Sequence, residues 1–252
     1  MIEPIVESFE PSAPRADYGE HEPVMQAYFS SGRKRALALP NQGSLKFLAN
    51  GDLHPEIQWS VDENGFYVLK NVIDSDELGD IEKDVFDILE RLPITKDSPV
   101  DKKGRPALGV DCKGASLFWS RPLGDPFGGT ERAAGRHPVK MVEPQPTAGS
   151  PDQTVYLILG VLQYSEALLR LYAHPGLLKL AASLNGEDFV PFNEGMFIKQ
   201  PGLGASVAWH QDGVTHWDSP EWDSSIHGYT FHAQLYDCTA ANADWAVPGS
   251  HR

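Results

Sequence analysis

The order of predicted secondary structure most constrains the fold, because helical patterns come early and short strand-like segments cluster late. The clearest helix begins near Ser75, where Asp74 can cap it, and its apolar residues recur at spacings of three and four until Pro93. A strand is predicted over residues 66–69, just before this helix. After Asn185-Gly186, short runs rich in strand formers alternate with turns. This order favours an α+β fold or a β-barrel with helices packed outside it.

The domain organisation follows from where these patterns begin. Residues 1–45 carry prolines and charges without a sustained apolar period, which predicts a loosely structured N-terminal arm before one domain over residues 46–252. Residues 93–150 are rich in glycine and proline, which predicts a long loop region. This region could cover a pocket, or it could be an insertion without a function. Residues 154–184 are predicted to be mostly helical, with a break at His174-Pro175.

Composition excludes several classes of protein. The chain has 252 residues, with 21 Lys and Arg against 35 Asp and Glu, a net charge of −14. Such a balance argues against nucleic acid or an anionic membrane as a partner. Two cysteines, Cys112 and Cys238, are too few for a disulfide framework or a multi-thiolate metal site. There is neither an apolar run long enough to span a membrane nor a secretory signal, so we expect a cytoplasmic protein. Its oligomeric state is left open.

A candidate metal site lies at His210 and Asp212. Residues two apart on a strand point to the same face, so the imidazole and the carboxylate could bind one ion. Two histidines and one carboxylate on one face are the ligands of non-haem Fe(II) oxygenases. The spacing alone is weak evidence, because it is expected about once by chance and is more often an ordinary hydrogen-bonded pair.

The surroundings of this pair carry a family resemblance. A Lys-x-Pro-Gly-x-Gly turn over residues 199–204 leads to Trp-His-Gln-Asp-Gly over residues 209–213. Ala-Asn-Ala-x-Trp-x-Val-Pro-Gly-Ser-His follows over residues 241–251. With the strand and helix that open the domain, these motifs resemble the phytanoyl-CoA dioxygenase family of Fe(II)- and 2-oxoglutarate-dependent oxygenases. The resemblance covers residues 60–252.

The resemblance implies a fold, cofactors and site residues. The fold would be a double-stranded β-helix, a cupin-like jelly roll with flanking helices, and the cofactors Fe(II), 2-oxoglutarate and O2. His210 and Asp212 match the first two metal ligands and the catalytic centre, and Lys199 matches a lysine that contacts 2-oxoglutarate. Asn193 and Gln211 are further candidates for cofactor binding, although Asn193 could equally be a turn residue beside a proline.

One departure from the family concerns the third metal ligand. In the family, a distal histidine and the arginine that anchors 2-oxoglutarate follow the Pro-Gly-Ser-His turn, and this chain ends at Arg252. His251 is the turn histidine, which is not a ligand in the family, and His232 could line the cavity or be a hydrogen-bonded interior histidine. We therefore expect a C-terminally truncated dioxygenase with an incomplete barrel, the competing reading being a degenerate family member.

The predicted function is a dioxygenase that hydroxylates an unactivated C–H bond of a small organic substrate. The alternative is a non-catalytic or degenerate β-barrel binding protein without the third iron ligand, and a zinc hydrolase is a further possibility. The substrate is not identified, and the lack of a basic patch disfavours acyl-CoA. Aromatic and histidine residues beside the candidate metal strand could shape the substrate mouth or simply pack; these are Trp209, His216, Trp217 and Trp222.

Overall fold

Five helices and five strands are present in the structure, a computed structural model that describes residues 16–110, 116–131, 135–212 and 228–252. The helices are α1 (Glu22–Ala38), α2 (Pro55–Asn64), α3 (Ser75–Glu90), α4 (Glu166–Tyr172) and α5 (Pro175–Asn185). The strands are β1 (Gln42–Ser44), β2 (Val68–Lys70), β3 (Ser116–Ser120), β4 (Thr154–Leu159) and β5 (Gly195–Phe197). Short 3₁₀ helices cover Gly19–His21 and Val161–Gln163.

The strands form two small sheets. β1 and β2 pair in parallel, and β3, β4 and β5 form an antiparallel sheet with β4 in the middle. The prediction of helix over residues 154–159 is wrong, because this Thr-Val-Tyr-Leu-Ile-Leu segment is the central strand β4. A short apolar run does not distinguish a buried strand from a buried helix, and here β-branched residues and a tyrosine favour the strand. β3 lies within the segment predicted as a loop region.

Helix α3 confirms the sequence prediction and supplies part of the core. The Asp74 carboxylate accepts hydrogen bonds from the backbone N–H groups of Asp76 (3.1 Å) and Glu77 (2.9 Å), which would otherwise lack partners. Its apolar stripe is buried against α4 and the β4 sheet. The buried residues of this stripe are Ile81, Val85 and Ile88.

A second core cluster joins α2 and α5. Ile57 and Val61 of α2 pack with Leu180 of α5. The predicted helix break is confirmed, since His174 caps α5 with its ring Nδ1 facing the Gly176 N–H at 3.2 Å, and Pro175 opens the helix.

Helix α1 packs against the C-terminal segment, although it lies within residues predicted as a loosely structured arm. The Trp245 ring stacks on Tyr28 with centroids 4.9 Å apart. Gly32 is buried, and a Cβ there would lie 2.1 Å from the Trp245 ring. Such a close approach needs glycine, so Gly32 permits this contact.

The described residues therefore form an α+β structure with small sheets. The predicted strand at Met196–Ile198 is confirmed as β5. The described residues from 198 to 212 and from 228 to 252 contain turns and irregular backbone but no strand. The jelly roll implied by the resemblance stays a prediction.

Candidate active site

The structure brings the two predicted metal ligands together. His210 Nε2 lies 3.2 Å from Asp212 Oδ1, although the backbone there is not a regular strand. His210 Nδ1 lies 2.8 Å from the carbonyl oxygen of Ala208, a fully buried residue. This second contact fixes the ring so that Nε2 faces the carboxylate.

Both ring nitrogens of His210 thus face an acceptor, which favours the imidazolium form. The hydrogen bond with Asp212 raises the pKa of His210 and, as the largest cause, lowers the pKa of Asp212. The hydrogen bond therefore favours the imidazolium–carboxylate form of this pair, with a proton on Nε2. An ion bound at Nε2 must displace this proton.

A buried histidine lies directly beside His210. The rings of His137 and His210 have centroids 4.2 Å apart, and the His137 ring stacks on Phe127 at 5.2 Å. His137 is only 3% exposed, and neither ring nitrogen has a hydrogen-bond partner among the described residues. Burial, followed by the charge of His210, lowers the pKa of His137 and so favours its neutral form.

The loop that carries His137 is organised by two carboxylates. Asp125 is buried and accepts hydrogen bonds from the backbone N–H groups of Gly128 and Met141, both at 2.8 Å. Glu143 accepts a hydrogen bond from the Asp125 N–H at 2.7 Å and pairs with Arg121. Internal hydrogen bonds therefore hold this part of the predicted loop region, and they place His137 against the His210–Asp212 pair.

Arg136 adds a positive charge to the same place. Its Nε atom is buried and has no hydrogen-bond partner in the described part of the chain. After the hydrogen bond with His210, the charge of Arg136 further lowers the pKa of Asp212. Its charge also opposes protonation of His137 and His210. This guanidinium therefore lies close enough to interact with all three side chains of the candidate centre.

A second polar group involves Lys199. Its Nζ donates a hydrogen bond to the carbonyl of Ala205, and desolvation lowers the pKa of the ammonium, although the residue as a whole is exposed. The charge of Asp244 acts in the opposite direction on Lys199. Asp244 accepts from His232 Nδ1 at 2.9 Å and from Gln234 Nε2 at 3.2 Å. His232 is thus hydrogen-bonded near the site.

Three other candidates make contacts apart from the His210–Asp212 pair or none. Gln211 donates a hydrogen bond through Nε2 to the carbonyl of Ser250, which connects the C-terminal turn to the segment of His210 and Asp212. Asn193 is exposed, and its side chain makes no hydrogen bond with a described residue. His251 Nε2 lies 3.1 Å from the carbonyl of Asp62 at the end of α2. His216, Trp217 and Trp222 fall outside the described residues.

The donor set fits Fe(II) in part. An imidazole Nε2 and a carboxylate oxygen 3.2 Å apart are suitable neighbouring ligands for one divalent ion. Within the described ranges, no group of three or more His, Cys, Asp or Glu side chains could hold a metal ion. The described residues therefore supply two candidate ligands and no third.

Comparison with known proteins decides the family. A family model described as Phytanoyl-CoA dioxygenase (PhyH) matches residues 61–252, about three quarters of the chain. The chain belongs to the phytanoyl-CoA dioxygenase family. Searches of curated proteins and of solved structures gave no match. Phytanoyl-CoA dioxygenase family members are generally oxygenases, typically dependent on Fe(II) and 2-oxoglutarate. No helix in the described residues is long and apolar enough to cross a membrane.

Sequence reasoning missed His137, Arg136 and Asp244. The first two lie in a glycine- and proline-rich segment without periodicity, where no pattern indicates which residue turns inward. An adjacent Arg-His pair in a chain with net charge −14 is the one local signal that could have directed attention to them. Asp244 lies inside the Ala-Asn-Ala-x-Trp motif, at the position between its third and fifth residues.

Proposed function

We propose that this protein is an Fe(II)- and 2-oxoglutarate-dependent dioxygenase that hydroxylates an unactivated C–H bond of a small organic substrate. In that reaction one oxygen of O2 enters the substrate and the other enters succinate, as 2-oxoglutarate loses CO2. The observation that carries the proposal is the 3.2 Å approach of His210 Nε2 and Asp212 Oδ1, with the imidazole held by Ala208. Membership of the phytanoyl-CoA dioxygenase family supports it.

The residues present have distinct roles in this proposal. His210 would hold the metal through Nε2 after releasing its proton, while its Nδ1–H stays on the Ala208 carbonyl and keeps the ring oriented. Asp212 would supply the negatively charged ligand. Bound Fe(II), with 2-oxoglutarate and O2, would supply the oxidising power for the C–H bond. Lys199 is proposed to contact 2-oxoglutarate; desolvation lowers the pKa of its ammonium, and the charge of Asp244 partly offsets this effect.

The finer features of the proposal come from the family. A cupin-like jelly roll would complete the sheets seen here, and further ligands would come from outside the described residues. The net charge of −14 and the absence of a basic patch in the sequence favour a small substrate over a CoA ester. A cytoplasmic location is also proposed, because the sequence shows no apolar run long enough to span a membrane and no secretory signal. We also propose Asn193 and Gln211 as cofactor-binding residues, with Gln211 acting through its link to Ser250.

The experiment is turnover of 2-oxoglutarate in the presence of Fe(II), ascorbate and O2, followed by succinate formation. A substrate library is added as a second arm, because hydroxylation needs the substrate. We expect succinate formation to fall at least about 100-fold in His210→Ala and in Asp212→Ala, because a ligand is lost in each. His21→Ala, which removes an exposed histidine, should leave the rate unchanged.

One observation favours a second candidate, a binding protein without oxygenase activity. The described residues provide two candidate metal ligands and no group of three. For a binding protein, 2-oxoglutarate or another small molecule would bind with no succinate formed under any condition. Absence of turnover in the wild-type chain with retained ligand binding would reject the oxygenase and support this alternative.

A further inference from the structure

Two ring nitrogens without hydrogen-bond partners, one donor and one acceptor in the neutral imidazole of His137, lie next to the candidate metal ligands. His137 is 3% exposed, and both its ring nitrogens lack a partner among the described residues. Burial of a polar group without a hydrogen bond costs free energy, so such a group in a native site indicates a missing partner. Its ring lies 4.2 Å, centroid to centroid, from the ring of His210. The missing partner of His137 would therefore lie beside the His210–Asp212 pair.

Arg136 defines the charge of that missing partner. Its buried Nε is also unpaired, and no described carboxylate lies within ion-pair distance of its guanidinium. Asp212 is engaged by His210 at 3.2 Å. A guanidinium presents parallel N–H groups that match the two oxygens of a carboxylate. The single positive charge of Arg136 matches a carboxylate better than a phosphate. The negative charges of Asp125 and Asp212 also act on His137, and they would repel a ligand that carries two negative charges.

The loop holding these donors is preorganised. Asp125 and Glu143 fix its backbone, and the Gly129 N–H donates to the carbonyl of His137 at 2.9 Å. The Phe127 ring covers one face of the His137 imidazole. A site whose donors are fixed before the ligand arrives loses little conformational freedom on binding.

We propose that Arg136 and His137 form a carboxylate-binding subsite beside the His210–Asp212 pair. Arg136 binds the carboxylate through its guanidinium, and His137 donates one ring N–H to the same group. The carboxylate belongs either to 2-oxoglutarate or to an organic acid substrate. The subsite deepens the proposed function, on which the identity of the carboxylate rests.

The test is isothermal titration calorimetry of the full chain and two variants. Arg136→Gln removes the guanidinium, and Lys140→Gln removes one positive charge from an exposed position of the same loop. Three probes are titrated: glutarate without metal, and 2-oxoglutarate and 2-oxopentanoate with Mn(II). 2-Oxopentanoate has the 2-oxo acid group of 2-oxoglutarate but no second carboxylate. Mn(II) binding alone is measured first in every variant, together with circular dichroism to check folding.

The outcomes separate the two sources of the carboxylate. Loss of about 10-fold or more in 2-oxoglutarate affinity, with 2-oxopentanoate unchanged, assigns the subsite to the cosubstrate. Unchanged affinity for both oxo acids, with glutarate binding lost in Arg136→Gln alone, assigns it to an organic acid substrate. His137→Asn should weaken the same probe to a smaller extent.

The proposal is overturned if Arg136→Gln matches Lys140→Gln with all three probes, or if it weakens both oxo acids equally. Failure of the wild-type chain to bind Mn(II) would count against the proposed oxygenase instead. The glutarate titration needs no metal, so it would still test the subsite in that case.

Discussion

At the scale of single residues, the candidate site contains two histidine–aspartate pairs that act on each other through their charges. In one, His210 faces Asp212, and in the other, His232 Nδ1 lies 2.9 Å from Asp244. The pairs influence each other, since the charge of His232 contributes to the low pKa of Asp212 after the effect of His210. Desolvation lowers the pKa of Lys199, and the charge of Asp244 acts against this effect. The second pair therefore contributes to the charge around Lys199, the proposed contact of 2-oxoglutarate, and around Asp212, a proposed metal ligand.

The second pair gives a pH-dependent prediction for Asp244→Asn. The hydrogen bond with Asp244 raises the pKa of His232 above 6.5, and the same bond lowers the pKa of Asp244 below 3.8. The histidine contributes stability below pH 6.5 that is lost as pH rises through its folded pKa. The aspartate contributes stability above pH 3.8 that is lost as pH falls through its folded pKa. The pair is thus most stabilising between these values.

We expect Asp244→Asn to cost less than about 1 kcal/mol of unfolding free energy near pH 5, because both side chains are more than half exposed. The cost should disappear above the folded pKa of His232. NMR titration should show a lower His232 pKa in the variant, and urea denaturation at pH 5 and pH 9 measures the stability. The control is Asp237→Asn, an exposed carboxylate in the same segment. An equal cost at both pH values would contradict this account.

At the scale of elements, the contact between α1 and the C-terminal segment depends on one glycine. Gly32 lies in the interior of α1, and its missing side chain makes room for Trp245. The Trp245 indole N–H donates to the Ala240 carbonyl at 3.0 Å, which holds the ring in place. α1 and the segment that carries Asp244 are therefore coupled through Trp245.

Two glycine substitutions separate this contact from helix propensity. Alanine is favoured over glycine in a helix interior by about 1 kcal/mol. Gly79→Ala in α3, where a Cβ meets nothing within 4 Å, should therefore stabilise the protein. Gly32→Ala places a Cβ 2.1 Å from the Trp245 ring and should instead destabilise it by about 1–3 kcal/mol.

Urea denaturation measures both substitutions, and the indole N–H resonance of Trp245 reports the local contact. We expect this resonance to shift in Gly32→Ala and to stay unchanged in Gly79→Ala. A gain in stability for both variants would mean that α1 does not pack on Trp245.

At the scale of the whole molecule, the sequence predicts elements better than it predicts the site. α3 and the break before α5 follow from local signals, namely Asp74 as a cap, Pro175 and an apolar stripe. β4 does not, since its apolar run fits helix and strand alike until its partners β3 and β5 are known. The family motifs identify His210 and Asp212, whereas His137 joins them only through long-range packing of an irregular loop.

A bound metal ion should stabilise the whole protein. An ion that binds the native state alone adds about 2.7 kcal/mol at 100 times its dissociation constant. For a chain of 252 residues, this corresponds to a rise in Tm of about 5–10 °C. Mn(II) replaces Fe(II) in the measurement because it does not oxidise readily in air, and differential scanning calorimetry with and without Mn(II) gives the increment.

His210→Ala should abolish the Mn(II)-dependent rise in Tm, because it removes a ligand. His251→Ala should keep the rise even where its baseline Tm is lower, because His251 Nε2 faces the Asp62 carbonyl at 3.1 Å and supports the end of α2. The increment, and not the baseline, therefore distinguishes a ligand from a packing residue. Loss of the increment in His251→Ala, or its survival in His210→Ala, would place the metal elsewhere than the His210–Asp212 pair.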